Sequence, residues 1–281
     1  MKNYFYGWYL KCQSDSQTLA VIPAIHQTGR KRTCSIQIIT DDNVWIVPFS
    51  SDSFHRKRMA ISIGKNHFDK NGIHLSICTP ELSIKGKLHF GPLIPLKYDI
   101  MGPFALVPFM ECRHSVWSMQ HSVCGTLKIN GETYSFNNGK GYWEGDRGRS
   151  FPERYIWTQC CFPQGSLMLS IADIPMAGIH FTGIIGIILW EGKEYRLATY
   201  LGARLVHLKN RKLRILQRNL ELDVCLLEEE THPLKAPTNG KMIRTIHESV
   251  SCKAFYRFRK NGHTLFAFET KHASFEYEYP F

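Results

Sequence analysis

Apolar and polar residues alternate over short stretches along most of this chain. Runs rich in β-branched and aromatic residues occupy positions 35–40, 44–49, 59–63, 73–78 and 81–90. In the last run, every second residue from Leu82 to Phe90 is apolar except Gly86, and the residues between them are polar or charged. This period of two is typical of a strand with one buried and one solvated face. The pattern therefore predicts a succession of β-strands.

Turn residues separate these runs. Asn-Gly pairs stand between strand-like segments at 71–72, 130–131, 239–240 and 261–262. Such pairs supply the positive φ angles of a tight hairpin. Helical periodicity is scarce. The sequence thus predicts an all-β protein, an antiparallel meander of barrels or sandwiches with few short helices, and not an alternating βαβ sheet.

One apolar stretch, Ile174–Trp190, resembles a membrane span. It contains Pro175, His180 and Thr182, and it falls short of the roughly 20 apolar residues that a spanning helix needs. We interpret it as a buried strand preceded by a turn. The N-terminal residues have neither a leucine-rich core nor a cleavage site, so no secretory signal is expected.

The cysteines and the net charge indicate the redox compartment of the protein and the kinds of partner it could bind. The nine cysteines form no C-x-x-C pair and their number is odd, which is typical of reduced thiols in the cytoplasm. The formal net charge is +11. The densest basic stretch, 207–218, is interpreted either as a solvated strand or hairpin, or as a patch for nucleic acid or an anionic membrane. Because no nucleic-acid motif accompanies it, we expect no nucleic-acid partner, and peripheral contact with a membrane stays open.

A weak internal echo predicts two lobes. The segments Tyr4–Cys12 and Tyr155–Cys160 each place an aromatic strand at the head of about half the chain. We therefore predict an N-terminal lobe over residues 1–148 and a C-terminal lobe over residues 149–281.

The glycine-rich stretch 137–150 holds the candidate chemistry. Its glycine spacing fits neither phosphate-binding motif, so nucleotide binding is not expected. Glu144 and Asp146 lie two residues apart, which in a strand places them on one face. Two such carboxylates in one pocket raise the pKa of one of them, and a proton donor results. The alternative is that they form salt bridges with Arg147, Arg149 or Arg154.

Metal and nucleophile sites are not predicted. His114 and His121 are seven residues apart, which is no recognised ligand spacing, and no HExxH motif is present. No G-x-S-x-G motif occurs either. Strand alternation places Tyr155, Trp157 and Gln159 on one face, where they would suit a large apolar ligand.

Several segments together resemble the tocopherol cyclase family, in particular its bacterial tocopherol cyclase-like members. They run in order through essentially the whole chain. The segments are Gly7-Trp8-Tyr9 with Lys11, 101–132, 141–162, 170–183, 194–203, 234–240 and the closing AFETKHASFEYE. The SFPxxYxWxQC pattern within 141–162 is long and unusual, which makes the resemblance specific.

The resemblance implies two lipocalin-like lobes and closure of a prenylated hydroquinone to a chromanol ring. That reaction needs a general acid and no redox cofactor or metal. Glu144 matches the glutamate of the family's Tyr-x-Glu motif and ranks above Asp146 as the acid. Trp157 and Gln159 match its W-x-Q strand. The expected substrate-binding residues are Trp8, His121, Tyr142, Trp143, Tyr155, Trp157, Gln159, His180 and Tyr200.

Departures from the family pattern affect the expected substrate. Tyr6 stands where relatives often carry Glu, Arg147 replaces a tryptophan of the plant motif, and Lys271-His272 replaces small or amide residues. The plant reaction is therefore not assumed. Two alternatives stay open: a lipid or isoprenoid carrier without chemistry, and a related enzyme that adds water to an isoprenoid double bond or guides a pericyclic closure.

Overall fold

The computed structural model describes residues 3–107, 110–176, 179–228 and 231–279, and the side chains of residues 176, 179 and 180 lie outside that description. Strands make up 72% of the chain and helix 4%. The described helices are short 3-10 turns at Ser51–Ser53, Gly102–Leu106 and Thr199–Leu201. The all-β prediction is confirmed.

The first sheet has twelve strands. They are Tyr4–Gln13 (β1), Thr18–Thr28 (β2), Lys31–Thr40 (β3), Val44–Phe49 (β4), Phe54–Lys57 (β5), Ala60–Ile63 (β6), Asn66–Asp69 (β7), Gly72–Cys78 (β8), Ser83–Phe90 (β9), Cys112–Ile129 (β10), Glu132–Ser135 (β11) and Gly139–Gly148 (β12). Their order is β4-β3-β2-β1-β12-β10-β9-β8-β7-β6-β5, and β11 pairs with β10. The pairings are antiparallel. Because β12 pairs with β1 on one side and with β10 on the other, it is a central strand.

The second sheet has ten strands. They are Tyr155–Phe162 (β13), Gly165–Met176 (β14), Ile179–Trp190 (β15), Lys193–Ala198 (β16), Arg204–Lys209 (β17), Lys212–Gln217 (β18), Leu220–Glu228 (β19), His232–Thr238 (β20), Lys241–Lys260 (β21) and His263–Tyr277 (β22). Their order is β16-β15-β14-β13-β22-β21-β19-β18-β17, and β20 pairs with β21. In each sheet the first strand pairs with the second and with the last, as β1 and β13 do. The two echoed segments thus open the two sheets.

The chain divides into two compact units. Unit 1 comprises Met1–Leu96, Glu111–Ser150 and Lys235–Arg244, and unit 2 comprises Lys97–Met110, Phe151–Leu234 and Thr245–Phe281. Each has its own apolar core, in which strand residues of alternate positions are buried. The lobe boundary expected between residues 148 and 149 stays a prediction.

The alternation in the 81–90 run is confirmed. Leu82, Ile84 and Leu88 are each 1% exposed, whereas Lys85 and Lys87 are exposed to solvent. One face of β9 therefore packs into the core of unit 1, as its period of two predicts.

Three of the Asn-Gly pairs form the predicted turns. Both residues have positive φ angles at 130–131, 239–240 and 261–262. The pair at Asn71-Gly72 differs, because Gly72 begins β8 with a φ of 145°. A Cβ there would lie 1.9 Å from the carbonyl oxygen of Leu88 on β9. Close approach of the neighbouring strand, rather than the turn, thus requires this glycine.

The apolar stretch Ile174–Trp190 ends in the long strand β15, which pairs with β14. In the described part of the chain, no helix has the length and apolar character to cross a membrane. None of the nine cysteines forms a disulfide within the described residues.

The basic stretch 207–218 lies in the hairpin of β17 and β18. Arg214 Nε lies 2.6 Å from Asp223 Oδ1 and 3.2 Å from Glu221 Oε1. Asp223 also accepts a hydrogen bond from Arg257 at 2.8 Å. Acidic neighbours therefore offset part of this charge, which favours the interpretation as a solvated face.

Candidate functional site

The candidate acids lie on the central strand β12. Trp143 belongs to the core cluster of unit 1. Because successive side chains of a strand point to opposite faces, Tyr142, Glu144 and Asp146 lie on the other face. The glycine-rich stretch is thus a paired strand here and not an anion-binding loop. Glu144 and Asp146 share a face, as the sequence predicted.

A histidine on the neighbouring strand joins these two carboxylates. In the antiparallel register of β10 and β12, His114 is paired with Asp146. Its Nδ1 lies 2.9 Å from Asp146 Oδ1, and its Nε2 lies 3.1 Å from Glu144 Oε2. The His114 and Glu144 side chains are 11% and 6% exposed, and that of Asp146 is 21% exposed. One imidazole therefore bridges both acids in a largely dry environment.

This environment sets the charge of His114. Burial alone would lower its pKa, but the carboxylates of Glu144 and Asp146 outweigh burial and hold the pKa well above 6.5. His114 is therefore an imidazolium at neutral pH. Its Nδ1 makes a hydrogen bond to Asp146. Its Nε2 forms an ion pair with Glu144 Oε2 at 3.1 Å.

Two further side chains extend this cluster along the same face. The Tyr142 hydroxyl donates a hydrogen bond to Glu144 Oε2. The Cys112 thiol donates to Asp146 Oδ1 at 3.4 Å. Burial, together with the charge of Asp146, raises the pKa of Cys112, so it stays a neutral donor. We call these five residues, Cys112, His114, Tyr142, Glu144 and Asp146, the acid cluster.

The acid cluster adds a third group to the predicted pair. The sequence predicted two carboxylates that raise the pKa of one of them, and the structure places His114 between them. The sequence also left open salt bridges from these carboxylates to nearby arginines. In the structure, both carboxylates pair with His114. Arg154 lies 3.7 Å from Asp173 instead.

The predicted residues Trp8 and Trp143 lie away from the acids. Both belong to the core cluster and are 1% and 0% exposed. Their ring centroids are 4.8 Å apart, and Trp117 lies 5.5 Å and 5.3 Å from them. A Cβ at Gly145 would lie 2.5 Å from Trp117 Cζ3, so this glycine admits the ring. These aromatic rings fill the core, on the face of β12 opposite Glu144.

His121 is also a core residue. Its Nδ1 lies 3.0 Å from Ser118 Oγ, and its ring centroid is 4.3 Å from that of Phe90. Burial lowers the pKa of His121 to about 4. It is therefore neutral under ordinary conditions. Of the predicted substrate-binding residues in unit 1, only Tyr142 lies beside the acids.

In unit 2, the predicted residues of β13 share one face. Tyr155, Trp157 and Gln159 are all buried and alternate with core residues of that unit. The Tyr155 hydroxyl donates to Glu276 Oε2, and Gln159 Nε2 donates to Cys161 Sγ at 3.3 Å. This face therefore carries a tyrosine–carboxylate pair of its own.

The remaining two predicted residues also belong to unit 2. The Tyr200 hydroxyl donates to the carbonyl oxygen of Ile100 at 3.4 Å, and its ring packs 5.8 Å from that of Phe104. Burial raises the pKa of Tyr200. The side chain of His180 lies outside the described residues.

His26 was not predicted from the sequence, and neither was the position of His114 between the two acids. His26 is 3% exposed, and burial lowers its pKa to about 4. Neither of its ring nitrogens has a hydrogen-bond partner within the described ranges. It is paired with Phe5, and Gly7, two residues further on, is paired with Asp146. His26 therefore shares the sheet face of the acid cluster.

The ligand atoms of His114, Glu144 and Asp146 lie within 4.8 Å of one another, which is close enough for a metal ion. Nitrogen and carboxylate ligands suit several divalent cations. However, both nitrogens of this imidazole face separate carboxylates, and a metal would have to displace a proton. The arrangement favours a proton-storing site.

Comparison with known proteins establishes the fold. No family model and no curated protein matches the chain. Among solved structures, an AttH-like protein of Nitrosomonas europaea has 9% identity and a TM-score of 0.58, with 100% of this chain and 93% of that one covered. CghA bound to Sch210972 has 10% identity and a TM-score of 0.62, with 99% and 89% covered. Kievitone hydratase of Nectria haematococca has 8% identity and a TM-score of 0.52, with 99% and 89% covered.

These likenesses span nearly the full length of every chain compared. They support the two-lobed, lipocalin-like β fold that the tocopherol cyclase resemblance implied. At such low identity they concern the fold alone. The tocopherol cyclase resemblance itself stays an expectation.

Proposed function

We propose that this protein is a cofactor-free acid catalyst that protonates a carbon–carbon double bond of an apolar isoprenoid, such as a prenylated hydroquinone, and closes a ring. The observation that carries this proposal is the imidazolium of His114, held between the buried carboxylates of Glu144 and Asp146. Such a site stores a proton in a place with little water, which is what protonation of an alkene requires.

The three side chains take different roles. Asp146 accepts a hydrogen bond from Nδ1–H and fixes the orientation of the ring. His114 passes its Nε2 proton to Glu144, whose Oε2 lies 3.1 Å away. Glu144 donates the proton to the alkene carbon, and Tyr142 holds its carboxylate in place. These roles keep the ranking of Glu144 above Asp146 as the acid.

The reaction balances without a further reagent. The proton forms a C–H bond and leaves a tertiary carbocation, which the nearby carboxylates stabilise electrostatically. The phenol oxygen of the substrate then forms a C–O bond and loses its proton, which returns to the acid cluster. The product has the mass of the substrate.

Addition of water is the second candidate. It shares the protonation step and differs only in the nucleophile. Asp146 is the most exposed of the three charged residues, which would admit water to the cluster. The fold is also that of a protein named kievitone hydratase. A product heavier by one water would identify this reaction.

The test is turnover of a prenylated hydroquinone by the purified protein in deuterium oxide, followed by mass spectrometry. We expect one deuterium on carbon in the cyclised product, because the transferred proton comes from an exchangeable group. Glu144→Gln and His114→Asn should each lower kcat by about 100-fold or more, the usual worth of a general acid. The matched controls Glu132→Gln and His89→Asn alter exposed residues of the same sheet and should leave kcat unchanged.

Four results would contradict the proposal. Turnover that survives in both Glu144→Gln and His114→Asn would remove the acid cluster from the chemistry. A product without carbon-bound deuterium would indicate a pericyclic closure. Tight binding of the hydroquinone without any product would indicate a carrier. A bound divalent metal in stoichiometric amount would replace the proton-storing site by a metal site.

A further inference from the structure

A cavity in unit 1 has an unusual concentration of positive charge. Its volume is about 480 Å³, within the range of about 300–1,000 Å³ that small-molecule sites occupy. Its cationic wall is formed by Arg56, Lys57, Arg58 and Arg147. We call these four residues the basic wall. A concave surface with four cations attracts anions more strongly than the same charges spread over a convex one.

The sheet brings these cations together from distant strands. Arg56 and Lys57 end the edge strand β5, whereas Arg147 lies on the central strand β12. The guanidinium of Arg56 stacks 4.2 Å from the ring centroid of Tyr6 on β1. The Tyr6 hydroxyl in turn accepts a hydrogen bond from Trp8 Nε1 at 2.8 Å. Arg56 is therefore held in position before any ligand arrives, which reduces the entropy lost on binding.

The basic wall is not neutralised. Among the described residues, none of its four cations forms an ion pair with a carboxylate. Asp146 is the one acidic residue among those that line the cavity, and its carboxylate points to the opposite face of β12 from Arg147, where Oδ1 is bound to His114. The arginines around Asp223 in unit 2 contrast with this arrangement, since they are paired. Cations on an edge strand also discourage strand addition, but that role requires neither a cavity nor an ordered guanidinium.

The cavity also has an aromatic side. Tyr6 and Trp117 line it, together with Ser115 and the backbone of Gly145. Rings of this kind contact the carbon skeleton of a ligand, while the hydroxyl of Ser115 offers a further hydrogen bond. The site is therefore suited to a molecule with one strongly anionic end and an apolar remainder.

We propose that this cavity binds the phosphate or diphosphate group of a small organic ligand, with the basic wall around the anion and Tyr6 and Trp117 against its carbon skeleton. Guanidinium groups match the oxygen geometry of phosphate through paired hydrogen bonds. Four cations suit the two or more negative charges of a phosphate better than the single charge of a carboxylate. This inference does not depend on the proposed acid catalysis.

The test is calorimetric titration of the full-length protein with inorganic diphosphate, farnesyl diphosphate and farnesol, at low and high ionic strength. We expect farnesyl diphosphate to bind most tightly, farnesol to bind weakly, and salt to weaken binding of both anions. In Arg56→Gln/Arg147→Gln, affinity for the anions should fall at least about tenfold, the usual effect of losing a charge-assisted hydrogen bond. The double variant Lys57→Gln/Arg58→Gln removes the other two cations of the basic wall and should lower the affinity for the anions as well.

The matched control is Lys85→Gln/Lys128→Gln. These two lysines are exposed, directly paired across β9 and β10, and outside the cavity, so the variant removes the same charge and should keep the affinity. Vesicles with phosphatidic acid present the same phosphate group on a lipid. Binding to them therefore distinguishes a lipid headgroup from a free phosphate ester as the source of the anion. The proposal is overturned if no phosphate-bearing probe binds, or if the control loses as much affinity as the basic-wall variants.

Discussion

Acidification should destabilise this protein through two buried histidines of unit 1. His26 and His121 are each 3% exposed, and burial lowers the pKa of each from 6.5 to about 4. The unfolded chain therefore binds more protons than the folded chain between these two values. Stability must fall as the pH falls through this window, and it levels off below about pH 4.

The magnitude follows from these pKa values. Between about pH 7 and about pH 5, each of the two histidines should remove about 2 kcal/mol from the free energy of unfolding. His114 acts in the opposite direction, because its pKa is raised in the folded state. Its contribution is complete below pH 6.5 and is lost as the pH rises, which offsets about 1 kcal/mol over the same interval. The expected net loss from these three residues is about 3 kcal/mol.

Urea unfolding at a series of pH values measures this loss. In His26→Asn and in His121→Asn, the acid-induced loss should shrink by about 2 kcal/mol each. In His114→Asn it should grow by about 1 kcal/mol, because the offset is gone. His89→Asn, on the exposed face of β9, should leave the pH dependence as it is. An acid-induced loss that is the same in all four variants would refute the reasoning.

Three further substitutions test contacts described above. Gly145→Ala would place a Cβ 2.5 Å from the Trp117 ring, and we expect a loss of about 1–3 kcal/mol, read as a lower Tm. Tyr155→Phe removes a hydrogen bond to the buried Glu276 carboxylate and should cost about 1–3 kcal/mol in urea unfolding. Burial raises the pKa of Asp223, but hydrogen bonds from two arginines outweigh it and hold the pKa below 3.8. The ionised Asp223 carboxylate thus stabilises the wild-type fold, and this stabilisation is lost as the pH falls through that pKa. Asp223→Asn should lack the stabilisation already at neutral pH, as measured by urea unfolding.

Each of these substitutions has its own comparison. If the clash at Gly145 is steric, Gly145→Ala combined with Trp117→Leu should be less destabilised than the sum of the two single variants. Tyr98→Phe alters a tyrosine that is 50% exposed and should cost less than Tyr155→Phe. Glu228→Gln removes a carboxylate that is 71% exposed, and an effect on acid unfolding as large as that of Asp223→Asn would contradict the account given for Asp223.

Strand positions could be predicted because the period of two reports burial directly. In β9, the residues that the pattern turns inward are the ones that contact the core of unit 1. Asn71-Gly72 shows where local chemistry stops being sufficient. Its glycine is required by the carbonyl of Leu88, on a strand that begins eleven residues later. Turn propensity contains no information about that neighbour.

The role of His114 could not be predicted for the same reason. It precedes Asp146 by 32 residues, and only the pairing of β10 with β12 brings the two together. The register of β10 is also irregular, since it shifts between Val116 and Ser118 and again before His121. A pairing register that is extrapolated from the hairpin turn by counting residues would be wrong after two such irregularities. The sequence therefore does not predict the neighbour that contacts both acids, although it does predict Glu144 and Asp146 themselves.

The two faces of β12 separate stability from chemistry. Trp143 and Gly145 face the packed aromatic core, where each added or removed atom changes the packing. Tyr142, Glu144 and Asp146 face the other way and make polar contacts to one another or to His114. Substitutions in this strand should therefore differ in their effect, lowering Tm at Trp143 and Gly145 and lowering turnover at Tyr142, Glu144 and Asp146. A strand that supported only the core would give the first effect without the second, so the two effects measured together would be evidence for a reactive face.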